Sequence, residues 1–275
     1  MSTKLPKLTL ADWHMTRDTL HLYARIIGKI RSHYMPKSKH WWHITLYVTS
    51  RGLTTSPFPI AGQNLELSLD LNNHQLRIDS SEGWSTGLTL IDQSSTEFCN
   101  RINSHLTARQ INLPPALFTD FQSEVQLAYD TLAVDRFRKA INWVDVTFKT
   151  FKGRLREETA PVQLFPHHMD LSMNWFSGRL VPDSDPADEE SADEQMNFGF
   201  VTGDASIPDA YFYVTTYPTP DHWADLTLPQ GAYWYTEAWT GAILPYAALV
   251  ASDQPQEILL NYFQQLQHHG KKLMS

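Results

Sequence analysis

Apolar side chains recur at three-to-four spacing along residues 9–34. Leu20, Tyr23, Ile27, Ile30 and Tyr34 form one stripe, which predicts an amphipathic helix interrupted by Gly28 and ended by Pro36. The aromatic and β-branched run 40–49 predicts a strand, and 51–59 a turn and connection. Leu65, Leu67, Leu69 and Leu71 alternate with polar positions, the pattern of a half-buried strand. Asn72-Asn73 reads as a two-residue hairpin turn into a partner strand at 74–79, and 84–90 as a fourth strand. Ser94 followed three residues later by Glu97 is a capping box, which opens a helix running to about Arg109 before Pro114-Pro115 breaks the chain.

The second half repeats this order. Phe137, Ile141, Val144, Phe148 and Phe151 predict a helix that stops near Gly153. A strand follows at 162–171, and Gly178-Arg179 marks a turn. Residues 198–201, 210–216 and 232–235 are strand-like, and 242–246 is a short apolar piece. Asp253 is placed to cap a last helix with Ile258, Leu259, Tyr262, Phe263 and Leu266 on one face and Gly270 as its stop.

Particular residues match between the halves. Gly28 stands eight residues before Pro36, as Gly153 does before Pro161, and basic residues follow each glycine: Lys29 and Arg31, then Arg154 and Arg156. His43 and His168 each lie seven residues after those prolines. Arg51-Gly52-Leu53 matches Gly178-Arg179-Leu180, and Thr86-Gly87 matches Thr240-Gly241. The expectation is an α+β fold of antiparallel sheets with flanking helices, built as helix, four strands, helix, twice over. The halves fall at 1–112 and 113–275, fused into one compact body, and clefts between related halves are favoured ligand sites.

Composition narrows the function. Residues 183–195 carry seven acids and no base, so the rest of the chain has a net charge of only −1 out of the total −8. Such a run cannot offset its ordering entropy, and a mobile acidic loop is expected over 183–197. Nothing has the basic footprint of a nucleic-acid binder. The one cysteine, Cys99, excludes an intramolecular disulfide and sits in a helical pattern as a small buried hydrophobe, which fits a reducing, cytoplasmic setting. Residues 1–7 lack the apolar run of a signal peptide, and no stretch is long and apolar enough for a membrane span.

Arg17-Asp-Thr-Leu20, Gly28-Lys29, the whole run 40–55, Asp170-Leu171 with Phe176-Ser-Gly-Arg179, Gly199-Phe200 and Leu244-Pro-Tyr246 occur in order over nearly the full length. In these the chain resembles a bacterial family catalogued as domain of unknown function 5996, a resemblance that implies relatives but no reaction. Gln163 stands where that pattern has His, Pro166 where it has Trp, and His168 where it has a small residue. The resemblance therefore favours His43, Arg51, Asp170 and Arg179 as site residues.

Three chemistries fit these residues. A metal needs several ligands converging on one point. On a strand, His40 and His43 face opposite sides, whereas His168 and Asp170 share one. No metal site is assigned, and no cofactor is implied. Acid–base catalysis would pair His43 or His168 with Asp170, since a carboxylate orients an imidazole and raises its basicity. Anion binding would use Lys29, Arg51, Arg154 and Arg179 beside glycines and turns, with Trp42 as an apolar wall. The leading expectation is a protein that binds a small anionic metabolite in a cleft between the halves. The alternatives are a hydrolase-like or isomerase-like enzyme using a His/Asp pair, with or without a metal, and an adaptor whose acidic loop and edge strands serve a protein partner.

Overall fold

The computed structural model describes residues 4–204 and 206–274; Met1 to Thr3 of the N-terminal run, Ala205 and Ser275 lie outside the described residues. The chain is α+β, with two antiparallel sheets of six strands each among the described residues. It divides into two compact units. The first comprises residues 11–138 with 164–169, and the second residues 1–10, 139–163 and 170–275.

In the first unit, α1 (His14–Tyr34) follows a 3-10 turn at Leu10–Asp12 and buries Leu20, Tyr23, Ile26, Ile27 and Ile30. It packs on β3 (Phe58–Ile60) and β4 (Gln63–Asp70) of a sheet that also contains β1 (Tyr47–Thr49), β2 (Gly52–Thr54), β5 (Gln75–Ser80) and β6 (Ser85–Thr89). The sheet runs β1-β2-β4-β5-β6, with β3 also on β4. Leu65, Leu67, Leu69, Leu76 and Ile78 form its buried face, as the alternation predicts. The connection expected at 51–59 contains β2 and β3, so the sheet has six strands rather than four. Three-residue strands broken at Ser56 (φ 49°) are too short to show a period. The hairpin loop is four residues rather than two, because Asp70 pairs with Gln75 and the left-handed residue is His74. α2 (Ser95–Thr107) begins at the capping box, in which the Ser94 hydroxyl accepts from Glu97 N and the Glu97 carboxylate from Ser94 N.

The second unit takes α3 (Thr131–Lys152) from Lys139 onward. Its sheet runs β11 (Tyr233–Tyr235), β12 (Gly241–Pro245), β10 (Tyr211–Tyr217), β9 (Asp193–Val201), β8 (Asp170–Leu180), β7 (Gln163–Phe165). Phe148 and Phe151 of α3 meet Phe263 of α6 (Pro255–Leu273) at ring separations of 5.0 and 5.2 Å, over Phe198 and Phe212 of the sheet. α5 (Tyr246–Val250) precedes α6, and α4 (Glu189–Ala192) precedes β9.

Three expectations change here. The strand expected at 162–171 is interrupted by a turn at 166–169, where Pro166 lacks an N–H and Met169 is left-handed (φ 56°). Gly178-Arg179 is not a turn. β8 continues to Leu180 through a register shift, with Gly178 at φ +83° as a bulge glycine. The acidic run ends earlier than 197, because Asp193, Glu194 and Gln195 already belong to β9.

Candidate functional site

The largest departure from the sequence pattern falls on the predicted site itself. Residues 40–44 are not strand. Lys39–Ile44 is a 3-10 segment in which His40 (φ 50°) and Trp41 (φ 59°) are both left-handed. Each such non-glycine residue costs about 1–3 kcal/mol, held by the surrounding structure. Two successive left-handed residues reverse the pointing of the side chains. Trp41 is 47% exposed, whereas His43 is buried. The two rings stack at 5.7 Å with an interplanar angle of 25°. His43 Nδ1 accepts from Ser38 N at 3.4 Å, which leaves the ring proton on Nε2 and makes that nitrogen a donor. Lys39 Nζ lies over the Trp42 ring, 5.3 Å from its centroid, and the His40 ring is 5.9 Å from it. The Trp42 indole N–H is buried and meets no protein acceptor. The strand-face argument for His40 and His43 lapses with the strand.

Other predicted residues in the first unit have structural partners. Lys29 pairs with Asp120 and lies over Phe121. Arg51 donates to Asp70 at 3.1 Å. Burial alone would raise the Asp70 carboxyl, but hydrogen bonds from the Asn73 side chain and backbone, Arg51 and Asn72 outweigh it and hold it below the usual range. Gly28 admits no ligand to the backbone, because a Cβ there would meet Pro166 Cγ at 2.6 Å. His168 lies in the 166–169 turn, its ring 4.4 Å from that of His167, and not on a strand face shared with Asp170.

One signal in the chain was missed. Residues 19–65 contain six Lys or Arg, four His and no Asp or Glu. Among them Arg31 is buried; it donates to Thr55 O and to Ser56 Oγ at 3.3 Å and lies over Tyr47, so dipoles and a ring rather than a carboxylate surround it in the described contacts. Counting acids across a window would have found this stretch, although its overall charge is masked by the acidic run far along the chain.

With this geometry in hand, the comparisons are specific about kinship. A family model described as "Family of unknown function (DUF5996)" matches residues 5–274. The chain belongs to this family. No curated protein and no solved structure matches it.

The second unit of this DUF5996 protein carries the remaining predicted residues. Arg179 of β8 pairs with Glu194 of β9 at 2.8 Å, and Arg154 donates to Gln264 Oε1 at 3.2 Å. Asp170 accepts from the Tyr213 hydroxyl at 2.9 Å. Burial, followed by the Asp170 carboxylate, holds the Tyr213 proton well above the ordinary tyrosine range, and Tyr211 is raised likewise by burial and its 2.6 Å bond to Asp204. Both phenols are therefore fixed as donors. Gly199 makes room for this arrangement, since a Cβ there would overlap the Tyr213 ring at 2.0 Å. Among the described residues, no group of three or more His, Cys, Asp or Glu is placed to hold a metal ion.

Proposed function

We propose that this DUF5996 protein binds a small anionic metabolite, and that the basic, aromatic segment 37–45 of the first unit reads it. The observation that carries this reading is the left-handed pair His40-Trp41, which turns Trp41 out and His43 in at the centre of an acid-free stretch. Strain of this kind persists where the surrounding structure over-determines it, and it clusters at ligand-binding sites. Two of the six cations in the stretch, Lys29 and Arg51, pair with carboxylates from outside it, and the reading draws on Lys39, which lies over the Trp42 ring.

The enzyme alternative draws less support, because the Asp170 carboxylate already accepts from the Tyr213 hydroxyl. A protein-partner reading draws on the exposed apolar side chains Met15, Val125 and Leu132 of the first unit.

The test is a thermal-shift series with phosphate, citrate and simple carboxylates, run beside native mass spectrometry of gently purified protein. A ligand at one hundred times its Kd stabilises by about 2.7 kcal/mol. The expected result is a rise in Tm with at least one anion that Lys39→Ala abolishes. A flat series for every anion together with a bare native mass overturns the reading.

A further inference from the structure

We infer that the groove between α1 and residues 126–128 of the first unit seats an extended stretch of a partner polypeptide, with aliphatic side chains over Leu22 and Leu127 and an acidic side chain at Arg25. This docking surface lies outside segment 37–45 and does not depend on the anion-binding reading.

The groove is one space of about 460 Å³, lined by Met15, Asp18, Leu22 and Arg25 of α1 and, across from them, by Leu127 and Ala128. Spacings of three and four residues put those α1 side chains on one stripe. Asp130 N donates to Thr16 Oγ1 at 3.0 Å, which ties one end of the far wall to the start of α1. At the other end Arg25 lies over Phe121, 5.4 Å from the ring centroid. The two walls therefore run antiparallel. From Met15 to Arg25 the helix spans about 15 Å, the length of roughly four or five extended residues.

Three features select the occupant. The first is backbone. Leu127 N donates to Gln93 O at 3.1 Å, away from α1, whereas Asp130 N points to α1. Successive N–H groups of an extended chain alternate sides, so the Ala128 N–H shares the side of Asp130 and faces the groove. It makes no hydrogen bond with a described residue, and a main-chain carbonyl of an added strand would accept from it. The second is apolar surface that continues past the groove. Met15 is 59% exposed, Val125 beside the far wall 72%, and Leu132 just beyond the Asp130 anchor 71%. Exposed apolar surface of this extent marks a site for a polypeptide rather than for a small metabolite. The third is charge, which sets direction. Arg17 bonds Asp18 at 2.8 Å, and Lys29 bonds Asp120, the carboxylate near Arg25. Arg25 itself forms no ion pair with a described residue. Burial, against its bond to His167 O, lowers the His21 pKa, so that ring adds no second cation at neutral pH. An acid thus fits the Arg25 end, and Asp18 disfavours one toward the Met15 end.

The probe is a displayed library of random heptapeptides panned against the full chain. The expected result is enrichment of sequences that join aliphatic residues to one Asp or Glu. Met15→Asp should abolish that enrichment, and Arg25→Glu should replace the enriched acid by Lys or Arg. One enriched peptide is then synthesised and titrated into the full chain by NMR. The Ala128 amide proton should move downfield with the amides of α1, and Arg25→Ala should weaken binding about 2- to 5-fold, the range of an exposed ion pair. Both substituted side chains are exposed, and the wild-type amide shifts locate the peptide without any variant. No enrichment, an enriched pattern without an acid, or an acid preference that survives Arg25→Glu overturns the proposal. An Ala128 amide that stays in place while the peptide binds overturns it too. Binding that Lys39→Ala abolishes places the peptide on segment 37–45, which overturns this surface and leaves the anion reading standing.

Discussion

At the scale of single residues, side chains that sequence reasoning marks as chemical are mostly committed to holding the fold. Asp170 accepts from Tyr213, and Tyr213 lies across the backbone of Gly199. Tyr213→Phe removes the donor while leaving a half-buried carboxylate, and should destabilise the protein by about 1–3 kcal/mol in urea unfolding. A second residue-scale effect depends on pH. The Lys271 ammonium hydrogen-bonds Glu157 and, against the opposing effect of burial, pulls its carboxyl from 4.5 down to about 2. A depressed carboxylate contributes stability that is fully present above about pH 4.5 and is lost as pH falls through about 2. Glu157→Gln should therefore flatten the stability profile between those values and leave its slope near neutrality unchanged, as read by denaturant midpoints across pH. Cys99 is the residue whose environment the sequence described best: it is buried in α2, and burial pushes its thiol up to about 12. An apolar periodicity around a small side chain is enough to predict that.

At the scale of elements, short-range rules worked where the deciding interaction lies within a few residues. The capping box at Ser94 and Glu97 is one case, since both bonds close within three residues. They failed where distant packing sets the backbone. Gly270 does not stop α6, which continues to Leu273; the glycine instead lets the helix approach Met196, whose Sδ would lie 2.6 Å from a Cβ. Asp253 is not the cap of that helix either, because Gln254 occupies the cap position and Pro255 opens the first turn. The turn joining β3 and β4 shows local chemistry left unoptimised. Ile60 pairs with Gln63, and the two loop residues, Ala61 (φ 49°) and Gly62 (φ 80°), are both left-handed, as in a type I′ turn. Asn tolerates that conformation better than Ala, so Ala61→Asn should raise the unfolding free energy by a few tenths to about 1 kcal/mol, read from the urea midpoint. No gain, or a loss, would show that the turn is held by something other than its own backbone preference.

At the scale of the whole molecule, the two sheets invite comparison. One runs β1-β2-β4-β5-β6 with β3 on β4 off that path, and the other runs β7-β8-β9-β10-β12-β11. Each is an antiparallel path taken largely in chain order, preceded by a long helix. This correspondence supports the proposal that the units descend from one duplicated segment, as the matched Gly, Pro and His spacings suggest. The charge pattern is also a whole-chain property. Seven acids are concentrated at 183–195, and six cations lie within an acid-free stretch at 19–65. Binding of an anion near solvent-accessible lysines is screened by salt, with a Debye length of about 10 Å at 0.1 M. Affinity for the anionic probes should fall severalfold between 50 and 500 mM potassium chloride, roughly, by that screening. An affinity indifferent to salt would place the ligand away from Lys37 and Lys39.

The chain by itself determined the α+β class, the long helices, the half-buried strand around 65–70 and the family, because these follow from periodicities and motifs written in consecutive residues. It also carried the acid-free stretch in plain sight. Tertiary structure alone decided the carboxylate partners of Arg51 and Arg179 and the bulge in β8, since those depend on residues brought together from separate strands. It decided above all the left-handed turn at His40-Trp41. The β-branched and aromatic composition of that run favours extended backbone, and only contacts made after folding can hold two successive residues against that preference.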